Sequence, residues 1–262
     1  MLPARARRVT MSRESGRPGV RRRRAALIAA GLAFAVFLLF FVYTAKYSHA
    51  DEAAENAMRS DETVAVVPTD YGVLFDGPSS DSALIFYPGG KVDEKAYAPL
   101  LRRIAAGGVD VCLVKMPFRL AVFGMNRADA VMARHRYQNW YIGGHSLGGA
   151  MAAYYASEHD DILRGLILLA AYPTRSVGEL PLLSVYGSED GVLRMQQYEK
   201  GKAYWPSCAL EYVIEGGNHA QFGSYGAQAG DETASISAVE QQTLTAELIL
   251  DFIDREAAQA AA

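Results

Sequence analysis

The 262-residue sequence predicts an α/β fold, a mostly parallel sheet with helices on both faces, preceded by one transmembrane helix. Three observations carry this. Short strands that are apolar throughout, such as ALIFY at 83–87 and LILLA at 166–170, alternate with helical segments, the pattern of strands buried on both faces. A glycine-rich turn at 143–149 joins one strand directly to one helix. Nineteen uncharged residues, 25–43, follow four consecutive arginines.

Taken in order, residues 1–24 form an arginine-rich arm with nine arginines and one acid, a balance of +8. A helix over 25–43 reaches roughly 28 Å, close to the hydrocarbon thickness of a bilayer. The run exceeds the usual ~7–15 residues of a signal peptide's central region, so a retained anchor is preferred to a cleaved signal, although Ser48-His49-Ala50 loosely fits a cleavage site. The arginines stay cytoplasmic by the positive-inside rule, which puts the rest of the chain outside the cytoplasm on a single-pass anchor in the cell membrane.

Residues 44–62 are polar, alanine-rich and acidic, and read as a stalk. The folded domain is expected over 63–257, with a short tail at 258–262. It opens with a hairpin, 63–67 and 71–75 around Pro68-Thr69-Asp70. A strand follows at 83–87, then a helix over 94–106 with apolar spacing at Tyr97, Leu100, Leu101 and Ile104, stopped by Gly107-Gly108. Strand 109–115, helix 127–135, strand 138–142 and helix 148–158 come next. Strands at 166–170, 182–186 and 209–214, a helix over 192–203 and a final amphipathic helix over 238–255 complete the order.

The net charge of −3 becomes −11 once the arm's +8 is subtracted. An acidic body of that kind is unsuited to nucleic acid, which requires basic surface. Two cysteines, Cys112 and Cys208, are too few for a four-ligand zinc site.

The chemistry is concentrated in Gly144-His145-Ser146-Leu147-Gly148-Gly149. A serine held between a strand and a helix by small residues two before and two after it has its hydroxyl pushed out above the sheet, where the Leu147 N–H and the helix N-terminus stabilise an oxyanion. A serine hydroxyl needs a base, and the base needs an acid to orient it. In chain order these belong after later strands. Asp190, in Tyr186-Gly187-Ser188-Glu189-Asp190-Gly191, is the better acid, with Glu189 as substitute; His219, in Gly216-Gly217-Asn218-His219, is the better base. The second oxyanion N–H is expected from Gly90 or Lys91, in Pro88-Gly89-Gly90-Lys91, and spacing alone leaves the two open. Met116, Phe118, Phe123 and Phe222 are candidate walls if their loops converge, and 221–235 is read either as a surface loop or as a rim that positions His219.

The elbow, YPGGKVDEKAYAPL, LLSVYGSEDGV and GGNHAQFGSYG together resemble the α/β-hydrolase superfamily and, more narrowly, the small bacterial dienelactone-hydrolase-like "alpha/beta hydrolase fold-5" group, over about 63–255. The resemblance implies a Ser146–Asp190–His219 triad without metal or cofactor. Only 43 residues lie between Ser146 and Asp190, which leaves no room for a large cap domain. The expectation is a serine esterase acting on a small or lipid-like ester, tethered to a membrane. Acyl transfer through the same acyl-enzyme, and a non-catalytic membrane-tethered binding protein, are the alternatives.

Overall fold

A computed structural model describes residues 18–78 and 81–260, so the arginine-rich arm as far as Arg17 and the last two residues of the tail lie outside the described residues. The chain divides into two compact units, Met1–Ala45 and Lys46–Ala262.

In the first unit, helix α1 spans Pro18–Ala45. Its stretch Ala25–Ala45 has mean hydropathy 2.8, long and apolar enough to cross a membrane. Leu27, Phe34 and Leu39 are each exposed, as they must be on a helix whose apolar face is not buried in protein.

The second unit is built on eight strands: β1 Ala65–Pro68, β2 Gly72–Asp76, β3 Ser82–Tyr87, β4 Asp110–Val114, β5 Asn139–His145, β6 Gly165–Leu169, β7 Leu182–Gly187 and β8 Leu210–Ile214. They lie in the order β1-β2-β4-β3-β5-β6-β7-β8. The hairpin β1–β2 is antiparallel and joins β4 antiparallel, while every pair from β4 to β8 is parallel. Pro68 is tolerated because β1 is an edge strand.

Helices α2 Glu52–Ala57, α3 Ala98–Ala106, α4 Arg127–Met132, α5 Leu147–Ala156, α6 Met195–Gly201 and α7 Ala238–Ala260 complete the unit. Alternate residues of one strand feed different cores. Leu84 and Phe86 of β3 pack with Leu100, Ile104, Ile249 and Phe252 of α3 and α7. Ala83, Ile85 and Tyr87 pack with Ala152 and Tyr155 of α5 on the opposite face. Burial on both faces is why these strands read as continuous apolar runs.

Several expected elements differ in extent, each for a physical reason. The helix expected over 94–106 opens as a 3-10 turn, Glu94–Tyr97, capped by the Asp93 carboxylate accepting from Lys95 N–H; Pro99 then opens α3. The helix expected from 192 starts only at Met195, because the Asp190 carboxylate takes the N–H groups of Val192 (2.9 Å) and Leu193 (2.7 Å). Strand β5 continues through both glycines to His145.

The segment read as a stalk is also different. From Lys46 it is part of the compact unit: Ser48 bridges Val92, Asp51 N–H donates to the Ser224 carbonyl at 2.9 Å, and Asp51 caps α2, whose Ala54 is fully buried. Cys112 is buried in β4 and Cys208 is exposed, both as free thiols; burial pushes the Cys112 thiol up to about 12.

Candidate active site

Strand β5 delivers Ser146 to the carboxyl edge of the parallel sheet, where such folds place their ligands. The turn is tight enough to set the backbone of Ser146 at φ 52°, ψ −122°, a left-handed conformation for a residue with a side chain. Its N–H is fixed by the Leu169 carbonyl at the end of β6, 2.9 Å away, and its carbonyl starts α5 by accepting from Ala150 N–H at 3.0 Å. The flanking glycines are forced by close approach. A Cβ on Gly148 would lie 2.1 Å from the Tyr87 carbonyl oxygen, and one on Gly144 2.5 Å from the same atom.

Asp190 follows β7, and His219 follows β8. Their side chains, each 2% exposed, form a hydrogen-bonded pair, with His219 Nδ1 2.8 Å from Asp190 Oδ2 and 3.1 Å from Oδ1. With Asp190 ionised, Nδ1–H is the donor, which leaves Nε2 as an acceptor. That Nε2 is buried and has no partner among the described residues. His219 and Ser146 line one cavity of about 390 Å³, together with Leu147, Tyr172, Leu193 and Arg194. Glu189, the substitute acid, accepts instead from the Ser188 hydroxyl.

On the other side of the elbow lies the loop after β3. Gly89 N–H donates to the Tyr97 hydroxyl (3.0 Å), and Lys91 N–H donates to the Arg119 carbonyl (2.8 Å). Lys91 is therefore corrected as an oxyanion donor, its N–H being committed, and Gly90 is the candidate that remains. A Cβ on Gly90 would meet Leu147 Cδ2 at 2.9 Å, so this glycine lies against the residue carrying the other candidate N–H.

The match to known proteins now has a structural setting. Residues 83–243 match the alpha/beta hydrolase family. The chain belongs to that family. Among solved structures of similar fold are dienelactone hydrolase from Anabaena variabilis, with 11% identity and TM-score 0.55 over 72% of this chain and 97% of that one. Est1E from Butyrivibrio proteoclasticus matches at 14% identity and TM-score 0.54, over 74% of this chain and all of the other. A membrane phospholipase A, described as a bacterial virulence factor, matches at 14% identity and TM-score 0.55, over 90% of this chain and 99% of that one. No curated protein matches the sequence.

In this alpha/beta hydrolase the sequence reading missed several supporting groups. Asp231, inside the loop at 221–235, accepts from His219 N–H (3.2 Å) and Gly191 N–H (3.1 Å) through Oδ1, and from Ala220 N–H (2.8 Å) through Oδ2. One carboxylate thus ties the histidine loop to the aspartate loop. Gln241 of α7 grips the residue before His219, accepting from Asn218 N–H at 3.0 Å and donating to its carbonyl at 2.8 Å. The only sequence signal for Asp231 was an acid in a glycine-rich loop.

His145 is a second histidine beside the first. Its ring centre is 4.5 Å from that of His219, and its Nδ1 is 2.8 Å from the Tyr97 hydroxyl. Complete burial, reinforced by His219, holds its pKa well below the ordinary 6.5. His145 is neutral, and its Nδ1 shares one hydrogen bond with the Tyr97 hydroxyl, which also accepts from Gly89 N–H. The candidate walls are corrected too. Met116 and Phe222 are buried in the two cores, and Phe118 and Phe123 are exposed and packed on each other; none of the four lines the cavity of Ser146.

Proposed function

We propose that the chain is a membrane-anchored serine hydrolase that cleaves carboxylic esters outside the cytoplasm. The observation that carries this reading is the Asp190–His219 pair, whose unpartnered Nε2 is buried beside the cavity that Ser146 also lines. A buried carboxylate that orients an imidazole is the pairing that activates a serine nucleophile.

In the mechanism, Ser146 Oγ attacks the ester carbonyl carbon as His219 Nε2 takes its proton. Asp190 holds the ring through Nδ1–H and stabilises the imidazolium. The N–H groups of Leu147 and Gly90 receive the oxyanion. As the tetrahedral intermediate collapses, His219 returns the proton to the departing alkoxide, leaving Ser146 acylated. Water then attacks the acyl carbon, its proton passing to Nε2 and on to Ser146 Oγ as the acid leaves. Arg194 at the cavity wall suits a substrate with a polar or anionic group beside the ester.

The anchor is supported by the length and hydropathy of Ala25–Ala45, and its orientation by the arginines that precede it. Among the proteins of similar fold, one is named a membrane phospholipase and another an esterase domain from Rhodothermus marinus, names consistent with ester substrates. The test is hydrolysis of short-chain p-nitrophenyl esters by the detergent-solubilised full chain, with fluorophosphonate labelling alongside. Ser146→Ala should abolish labelling, and Ser146→Ala and His219→Ala should each lower kcat by at least ~10³-fold. Folded parent protein that neither labels nor turns over would sink the proposal and favour a binding role.

A further inference from the structure

Between β4 and α4 the chain runs KMPFRLAVFGMNR, residues 115–127, with three basic residues and no acid, although the chain after residue 24 carries a net charge of −11. Its apolar side chains are not all inside. Phe118 and Phe123 are 54% and 53% exposed, their rings edge to face at 5.8 Å, and Val122 is 38% exposed beside them. Two consecutive residues of this loop, Phe118 at φ 54° and Arg119 at φ 56°, hold left-handed backbone without being glycine. Strain of that kind persists only where surrounding contacts impose it, and it concentrates at functional surfaces.

The contacts that impose it are specific. The Arg119 guanidinium lies 3.5 Å over the Tyr47 ring, and the Arg119 carbonyl accepts from Lys91 N–H at 2.8 Å. Ser48 N–H in turn donates to the Lys91 carbonyl, also at 2.8 Å. The loop is therefore fastened to the segment that directly follows the apolar helix. Tyr47 is two residues past Ala45, so its Cα stays within about 8 Å of the helix end whatever angle the helix takes.

We propose that Phe118, Val122 and Phe123 insert into the interfacial layer of the bilayer that holds Ala25–Ala45, with Lys115, Arg119 and Lys46 at the level of anionic headgroups. Exposed aromatic and aliphatic tips set among basic residues match the chemistry of that layer, where aromatic rings settle and cations are attracted to anionic lipid. A bilayer is the favoured occupant because the chain itself brings it within reach, which no separate protein shares. Bilayer contact would bear on the ester-binding site through one bond, since Lys91, held by Arg119, is the residue next to Gly90. The inference rests on the anchor reading of Ala25–Ala45.

The test uses the full chain with Cys208→Ser, reconstituted in phosphatidylcholine vesicles containing phosphatidylglycerol. Single nitroxide labels are placed at Phe118→Cys, Phe123→Cys, Phe34→Cys and Val239→Cys, and collision with oxygen is compared with collision with a water-soluble nickel chelate. Labels at 118 and 123 should show the oxygen-dominated relaxation of a lipid environment, as 34 does, while 239 on α7 shows the nickel-dominated relaxation of water. Lipid exposure at 34 with aqueous exposure at both 118 and 123 overturns the docking while the anchor stands. Aqueous exposure at all four overturns both. Two separate label sites guard against one cysteine disturbing the strained turn.

Discussion

Asp231→Ala should loosen the histidine loop more than its distance from the chemistry suggests. In the structure its carboxylate accepts three backbone N–H groups from two loops, those of Gly191, His219 and Ala220, at 2.8–3.2 Å. Hydrogen bonds to a charged group contribute about 1.5–3 kcal/mol each, and the lower figure applies here because Asp231 is only partly buried and water can replace some of what is lost; the three together contribute about 4.5 kcal/mol. Asp231→Asn retains an oxygen for Gly191 and His219 but turns an NH₂ toward Ala220 N–H and removes the charge from the two bonds that remain, so about half of that stability should go. Movement of His219 by about 1 Å would cost about 10²-fold in turnover. The assay pairs urea unfolding midpoints with kcat on a soluble ester for parent, Asn and Ala forms. The expected order is parent above Asn above Ala in both readouts. Lost stability with unchanged kcat would refute the positioning role, since the carboxylate would then hold the loops without setting His219; no change in either would refute the energetic argument too.

Two other perturbations follow from the geometry. Gly148→Ala puts a methyl 2.1 Å from the Tyr87 carbonyl oxygen, a backbone atom that cannot swing away, so folding should weaken by about 3 kcal/mol, read as a lower denaturation midpoint; an unchanged midpoint with full activity would contradict the close approach. His145, neutral when folded because of burial, binds a proton only in the unfolded chain as pH falls below 6.5. The unfolded state then holds more protons, so this residue's contribution to stability is intact above that pH and declines below it, by up to about 1.4 kcal/mol per pH unit. His145→Gln should flatten the dependence of unfolding free energy on pH between 6.5 and 5 by one proton, and parallel slopes for the two proteins would count against a buried neutral imidazole.

Fold class and the succession of strands and helices were legible because the signals are local and repeated: apolar runs of strand length alternating with segments of helical spacing. The elbow was legible because Gly144 and Gly148 stand two residues either side of Ser146, although the carbonyl oxygen they make room for belongs to Tyr87 on β3. Asp190 and His219 could be singled out because each sits in a glycine-containing loop directly after a strand. Asp231 lies 12 residues after His219 and acts on backbone N–H groups, which any residue supplies, so no pairing of residue types marks it. The packed segment before β1 was hidden because α2 buries only Ala54, too little for an apolar period. Lys91 was left open beside Gly90 because its N–H is taken by a carbonyl 28 residues on, a contact that side-chain identity does not encode. The walls failed similarly. Residues of the loop after β4 are apolar enough to line a site, but the left-handed turn at Phe118 and Arg119 presents the aromatics to the outside.

Among the described residues, five that are not glycine have left-handed backbone: Lys91, Phe118, Arg119, Ser146 and Ala170. They are not scattered. Ser146 and Ala170 line the same cavity, Lys91 adjoins Gly90, and Phe118 and Arg119 form the loop that holds Lys91. Each such residue costs on the order of 1 kcal/mol or more, and would relax unless neighbours fixed it. The fixing bonds run along the carboxyl edge of the sheet. Lys91 N–H is tied to Arg119, Ser146 N–H to the last residue of β6, and Ala170 N–H to Val185 in β7, each at 2.8–2.9 Å. Strain at one strand end is thus restrained by its neighbour, and the sheet core behind restrains them all. A site braced in this way does not need a lid to assemble it: the strand ends already hold Ser146 and the Asp190–His219 pair around one cavity.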